Sequence, residues 1–283
     1  MNIKSDLPDS KSDQTENSIS SSKKNILEEY LPIDEHVELV SEDGQKVPRK
    51  GIYLLPNLFT SAALFAGFYA IISAIHLEFI SAGLAIFFGQ LLDGFDGRVA
   101  RLTKTQSRFG QEFDSLSDMV TFGLAPAIII FMWCLSDLGK VGWAVGFIYV
   151  ASAAIRLARF NAEIGKADDR FFSGLASPAA ATLLASSVWL AYDLGYTPGD
   201  LPTVMIYSMM FLTIFIGVLM VINVPYYSFK NINLSSRVSL VALLIFILLL
   251  VLIASDPPKV LFILGLSYAL SGPFFLIIKK IRS

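Results

Sequence analysis

The sequence predicts an all-α integral membrane protein of about eight transmembrane helices, with both termini in the cytosol. Three observations carry that prediction. The 283 residues are 54% hydrophobic and only 16% charged, with a mean hydropathy of +0.60, whereas soluble domains carry roughly 25% charged residues. Beyond residue 48 the chain falls into apolar segments of about 20 residues, the length that crosses hydrocarbon. The basic residues also alternate between successive connections. Arg49/Lys50, Arg98/Arg101/Lys104/Arg108, Arg156/Arg159/Lys166/Arg170, Lys230/Arg237 and Lys279/Lys280/Arg282 hold fifteen of the 22, and the intervening connections hold only Lys140 and Lys259. Connections rich in Lys and Arg stay in the cytosol, which sets the orientation.

Residues 1–48 form an expected polar, acidic and disordered tail. They are rich in Ser, Asp, Glu, Lys and Asn and bury too little apolar surface to offset the entropy of ordering. A short amphipathic piece near 26–40 is the exception. The first residues lack an apolar core behind a basic start, so no cleaved signal peptide is expected. Residues 49–283 form a single transmembrane domain, with spans near 53–75, 79–101, 112–135, 141–163, 174–194, 202–223, 235–254 and 258–279. Cys134, the one cysteine, lies in an apolar run and reads as a packing residue. Gly142 and Gly146 make a GxxxG pair, a pattern that brings helices close. His76 falls in a connection at the face opposite the basic clusters. Tyr226, Tyr227 and Lys230 read as interface anchors. The net charge of −2 and the placement of the cations at span ends suggest no nucleic-acid partner.

The stretch 93–118, DGFDGRVARLTKTQSRFGQEFDSLSD, stands out from this apolar background. A charge at the centre of a membrane helix costs about 2.5–3.5 kcal/mol, so intramembrane carboxylates are functional by default. Asp93 and Asp96 are three apart, and Asp114 and Asp118 four apart, spacings that put each pair on one helix face. Four facing carboxylates require protons or cations among them. All-oxygen ligands favour a hard cation, Mg2+ or Mn2+. Gly97, Ala100 and Gly110 remove bulk where a ligand approaches the backbone. Arg98, Arg101, Lys104 and Arg108 supply positive charge, a combination suited to a diphosphate. The alternative is an acidic helix end whose aspartates only cap it, but capping needs one carboxylate and not four.

DGFDGRVAR…GQEFDSLSD resembles the signature of the CDP-alcohol phosphotransferases, D-x-x-D-G-x-x-A-R-x8-G-x3-D-x3-D. Asp93, Asp96, Gly97, Ala100, Arg101, Gly110, Asp114 and Asp118 match every fixed position. The resemblance implies a membrane enzyme that transfers a phosphatidyl group from a CDP-lipid to an alcohol and releases CMP. It implies a two-metal site on Asp93, Asp96, Asp114 and Asp118, with Asp118 as the base that deprotonates the acceptor hydroxyl. It also places Asp96, Gly97, Ala100, Arg101 and Gly110 around the CDP group.

The acceptor is read from more distant segments. KGIYLLPNLFTSAALFAGFYAI at 50–71, AAIRLARFNAE at 153–163, FFSGLASPAAA at 171–181 and NVPYYSFKNIN at 223–233 resemble the phosphatidylserine synthase branch of the family. Ala176 departs from a GLPSP-like turn. The branch implies CDP-diacylglycerol and L-serine as substrates, a lipid environment, a homodimer, and a bacterial inner (cytoplasmic) membrane location with the site facing the cytosol. Arg156, Arg159 and Asn161 could bind the acceptor carboxylate or a lipid phosphate, or the arginines could snorkel to the interface. Asn57 could contact the diphosphate of the CDP-lipid or the acceptor, or cap its helix. Sister enzymes acting on glycerol 3-phosphate or inositol phosphate, and an ion transporter using the aspartates, are the competing readings.

Overall fold

The computed structural model describes residues 38–42, 45–49, 54–102, 108–163, 171–227 and 240–282. The chain divides into two units, Met1–Ile52 and Tyr53–Ser283. Within the first unit, strands β1 (Glu38–Glu42) and β2 (Gln45–Arg49) pair antiparallel, with Glu42 opposite Gln45 and Glu38 opposite Arg49. That is a departure from the disordered tail expected for residues 1–48. Its cause is local: Leu39, Val40 and Val47 favour strands, and Asp43 and Gly44 stand between them, a sequence pair favoured in two-residue hairpin connections. The amphipathic piece expected at 26–40 lies largely outside the described residues.

The second unit is a helix bundle. Its elements are α1 (Leu54–Ile75), α2 (Phe79–Leu102), α3 (Arg108–Asp118), a π-helical stretch Met119–Leu124, α4 (Ala125–Trp133) and a 3-10 turn Leu135–Leu138. There follow α5 (Lys140–Glu163), β3 (Phe171–Ser173), α6 (Ser177–Asp193), α7 (Thr203–Val221), β4 (Pro225–Tyr227), α8 (Leu240–Ser255) and α9 (Pro257–Arg282). Six stretches among the described residues are long and apolar enough to cross a membrane: Pro56–Ile75, Phe79–Ala100, Phe109–Trp133, Lys140–Ala162, Thr203–Val221 and Pro257–Ile278. The expected spans at 174–194 and 235–254 correspond to α6, with 17 residues, and α8, with 16 described residues. α6 is the central helix, with Ala180, Ala181, Leu183, Leu184 and Val188 fully buried. Both helices are present at the expected places, but among the described residues they are shorter than the six spans above.

Large apolar side chains face outward, as they do where the surrounding solvent is lipid. Phe65, Phe147 and Phe211 are exposed, while the interior is rich in alanine. Without a hydrophobic drive between helices, close packing of small residues holds them together. Ala63, Ala66, Ala70 and Ala74 line the buried face of α1 at helical spacing. Gly67 and Gly89 admit Thr121: a Cβ on Gly67 would lie 2.5 Å from Thr121 Oγ1, and one on Gly89 would lie 2.8 Å from Thr121 Cγ2. α1 and α2 therefore both bear on the π-helical stretch.

The far end is closed by the 3-10 turn. Cys134 is fully buried, and burial with Asp137 nearby pushes its thiol up to about 12, in keeping with a packing role. His76 is exposed in the α1–α2 connection, as expected. At the opposite end, β3 and β4 pair antiparallel with Phe172 opposite Tyr226. Gly174 follows with φ +80°, and a Cβ there would sit 2.5 Å from Met220 O. Ala176, where the family turn carries proline, has φ −65° and ψ 137°, the backbone that proline imposes, so the bend forms without it. Tyr226 is not an interface anchor. It is 1% exposed, its hydroxyl donates to Ala269 O at 2.9 Å, and burial pushes that hydroxyl up to about 12, so it keeps its proton. The side chains of Tyr227 and Lys230 lie outside the described residues.

The GxxxG pair splits into two unlike positions. A Cβ on Gly142 would lie 1.7 Å from Leu135 O, whereas one on Gly146 would meet nothing within 4 Å. Gly142→Ala is expected to lower stability by about 1–3 kcal/mol, the usual cost of overpacking, and Gly146→Ala to raise it by up to about 1 kcal/mol, since alanine is the better helix former. Thermal melts of the two purified variants in one detergent check this difference.

Candidate active site

α2 carries Asp93 and Asp96 near its C-terminal end, and α3 carries Asp114 and Asp118 a few residues after the chain turns back. Asp93, Asp114 and Asp118 each offer an oxygen, and these lie within 4.8 Å of one another, an arrangement that could hold a metal ion. The Asp93 carboxyl meets those of Asp114 and Asp118, and the Asp114 carboxyl also meets that of Asp96. Like-charged oxygens this close stay together around protons or cations. Every ligand in the group is a carboxylate oxygen, which fits a hard divalent ion and not zinc.

Asp96 stands slightly apart because it is held from α1. Only 6% of it is exposed, and Thr60 Oγ1 donates to its Oδ2 at 2.7 Å. The same Thr60 hydroxyl lies 3.2 Å from Pro56 O, a longer contact that gets no second proton. Thr60 O in turn accepts from Ser117 Oγ at 3.1 Å. One threonine of α1 therefore touches both carboxylate helices. Such cross-helix hydroxyl contacts are worth about 0.6 kcal/mol on average in membranes, so their value here lies in direction more than in stability.

Asp118 is the last α-helical residue before the π-helical stretch. Ala125 N–H bonds to Val120 O, five residues back, which widens the helix and leaves carbonyls poorly served. Two hydroxyls stabilise the widened turn. Thr121 Oγ1 donates to Ala63 O at 3.1 Å, and the fully buried Tyr149 hydroxyl donates to Phe122 O at 3.1 Å. The residue assigned as base by the family resemblance thus adjoins a local irregularity fastened on two sides.

The remaining sequence candidates are distributed as follows. Asn57 lies half-buried in the first turns of α1, three residues before Thr60, and its carbonyl accepts from Ser61 Oγ at 2.8 Å. Gly97 is exposed, and a Cβ there would meet no atom within 4 Å, so packing within the chain does not require glycine and the α2 surface stays low beside the carboxylates. Ala100 and Gly110 are half-buried. Arg101 lies in the last turn of α2, and its side chain is outside the described residues. Arg156 is 8% exposed with Nη1 donating to Ser173 O at 2.8 Å. Arg159 Nη1 donates to Val221 O and Asn223 Oδ1, both at 2.8 Å. Both arginines tie α5 to the β3 and α7 ends. Asn161 Nδ2 donates to Ser115 Oγ at 2.9 Å, on α3.

Sequence reasoning passed over Thr60, Ser115, Ser117, Thr121 and Tyr149. The available signal is a hydroxyl inside an apolar run. It is a weak one, because Ser61, Ser152 and Ser208 show the same signal and bond to carbonyls four residues back on their own helices.

Comparison with known proteins bears on this geometry. The family model described as CDP-alcohol phosphatidyltransferase matches residues 53–226, a range containing every candidate residue from Asn57 to Asn161. A Helicobacter pylori protein named CDP-diacylglycerol–serine O-phosphatidyltransferase is 37% identical over 235 residues, 83% of this chain and 97% of its own length. Proteins of the same name from Mycobacterium bovis, 37% identical over 54% of this chain and 55% of their own, and from Bacillus subtilis, 35% identical over 46% and 72%, are also similar. With the signature carboxylates gathered on two adjoining helices and the family model covering the bundle around them, the chain belongs to the CDP-alcohol phosphatidyltransferase family of membrane transferases.

Proposed function

We propose that this transferase moves the phosphatidyl group of CDP-diacylglycerol onto the hydroxyl of L-serine, giving phosphatidylserine and CMP. The observation that carries the reaction type is the gathering of Asp93, Asp114 and Asp118 within 4.8 Å beside Asp96. The choice of serine is supported by relatives of that name, one of them 37% identical over 83% of the chain.

In this reading Asp118 accepts the proton of the serine hydroxyl, since an alcohol attacks poorly until a positioned base relieves it of that proton. The serine oxygen bonds to the phosphorus that carries the diacylglycerol, and the bond from that phosphorus to the CMP oxygen breaks. Mg2+ or Mn2+, held as a two-metal site by Asp93, Asp96, Asp114 and Asp118, would supply charge neutralisation for the diphosphate. Thr60 holds Asp96 in direction for this task. Asn57, Gly97, Ala100, Arg101 and Gly110 border the CDP group, with the open surface at Gly97 favouring close approach. Arg156 and Arg159 lie on the acceptor side. A guanidinium presents its N–H donors in a fork that matches a carboxylate. A phosphorylated acceptor would call for more cationic side chains than these two.

The reading also places the site on the cytosolic side of a bacterial inner membrane, with the described domain from residue 49 onward as the catalytic unit and a second copy of the chain as partner. The cytosolic side is supported by Arg98, Arg156 and Arg159 at the carboxylate end of their helices and by Lys140 at the start of α5. The partner copy rests on the family resemblance.

Three outcomes are expected. Purified protein with CDP-diacylglycerol and Mn2+ or Mg2+ releases CMP with L-serine and not with glycerol 3-phosphate or inositol phosphate, and chelation with EDTA abolishes release until the metal is restored; release with a phosphorylated acceptor would overturn the choice of serine. Asp118→Asn lowers kcat by about 10²–10⁴-fold, the usual worth of a general base, while CDP-diacylglycerol binding persists, and full activity would remove Asp118 from the role. In a Cys134→Ala background in intact cells, a membrane-impermeant thiol reagent labels Asp137→Cys and spares Glu112→Cys. The reverse pattern would invert the orientation.

A further inference from the structure

The last two turns of α5 make polar ties to three separate elements. Arg156 reaches Ser173 O of β3, Arg159 reaches Val221 O and Asn223 at the end of α7, and Asn161 reaches α3. The third tie differs in kind, because it ends on the helix that carries two of the four carboxylates. Asn161 Nδ2 donates to Ser115 Oγ at 2.9 Å, and Ser115 Oγ lies 3.2 Å from Asn161 Oδ1 and 3.1 Å from Gln111 O. Both residues are half-buried. Ser115 directly follows Asp114 and stands three residues before Asp118.

α3 is a short helix of 11 residues, about 16 Å long at 1.5 Å per residue, with a polar face and few large buried side chains to fix its rotation. Two serines do that instead. Ser117 donates to Thr60 O on α1, and Ser115 engages Asn161 on α5. Residues two apart on a helix point about 200° from each other, so the two hydroxyls brace α3 from opposite sides. The sequence groups Asn161 with Arg156 and Arg159 as an acceptor contact, and its amide also engages Ser115 on α3.

We infer that Asn161 is a positioning residue: through Ser115 it sets the rotation of α3, so that the Asp114 and Asp118 oxygens stay within 4.8 Å of that of Asp93. Groups that orient metal-binding side chains without touching the metal typically contribute 10–100-fold to metal affinity or activity. An acceptor contact would act differently, since its loss would raise the KM for serine and leave metal affinity alone. The activity part of this inference rests on the reaction proposed above, and the metal-affinity part does not.

The test compares full-length wild type, Asn161→Ala, Ser115→Ala and the double variant in detergent. Mn2+ affinity is measured by electron paramagnetic resonance titration, and CMP release is measured against L-serine concentration. Each single variant is expected to bind Mn2+ about tenfold more weakly and to lose kcat, with the KM for serine unchanged. The double variant is expected to be no worse than either single one, because all three cut the same contact. Unaltered Mn2+ affinity in Asn161→Ala, or a raised serine KM in Asn161→Ala with Ser115→Ala normal, would overturn the inference. If one single variant fails to fold, the other carries the comparison. Wild-type protein that binds Mn2+ but releases no CMP with serine would refute the proposed reaction, and the binding titration alone would then judge the positioning role.

Discussion

Four carboxylates have to be kept at one end of an apolar bundle, and the rest of the architecture follows from what that requires. Each would be costly alone in hydrocarbon, and together they repel. The chain meets this by turning back on itself between α2 and α3, so that the four oxygen donors face one another and a hard cation can be shared among them. It then surrounds them with hydroxyls that reach across helices. Thr60 holds Asp96, Ser117 holds Thr60, and Ser115 meets Asn161. The charged centre is thus enclosed by small polar groups before the alanine and glycine packing begins.

The small residues serve the same end by another route. Gly67 and Gly89 let α1 and α2 close on Thr121, and that contact lies one turn beyond Asp118. At the far end Gly142 seats α5 against the 3-10 turn. α5 therefore runs from a close backbone contact at one face to the Arg156, Arg159 and Asn161 ties at the other. It acts as a post between the two ends of the domain.

Much of this was legible in the sequence, for physical reasons that can be named. Apolar length and the placement of Lys and Arg reveal a membrane bundle, because lipid and membrane potential act on composition directly. The carboxylate spacing shows two carboxylate pairs, each on one helix face, and the family signature identifies the reaction class. The helices expected at 174–194 and 235–254 are both present, as α6 and α8, and α6 is apolar in part for the protein core, which hydropathy does not distinguish from lipid. Tyr226 was misread for a related reason: an aromatic residue near a span end suits the interface and also suits a buried hydrogen bond to Ala269 O. The hairpin at residues 38–49 was missed because a polar composition outweighed its short alternation. The cross-helix roles of Thr60, Ser115 and Ser117 depend on which way a hydroxyl turns, and that is settled only when neighbouring helices are in place.

The π-helical stretch at Met119–Leu124 adds a consequence of its own. A π turn holds one residue more than a regular helix would, so everything before it is out of phase, by about 100°, with everything after it. The carboxylate half of this rod and its membrane half therefore answer to two different helical wheels. In an unbroken α-helix Asp114, Asp118, Ala125 and Ile129 would share one stripe; the extra residue of the π turn lets the carboxylates face the site while Ala125, Ile129 and Ile130 are buried in the core. A one-residue insertion or deletion anywhere along the rod would change the relation between the two halves, which makes this span intolerant of changes in length.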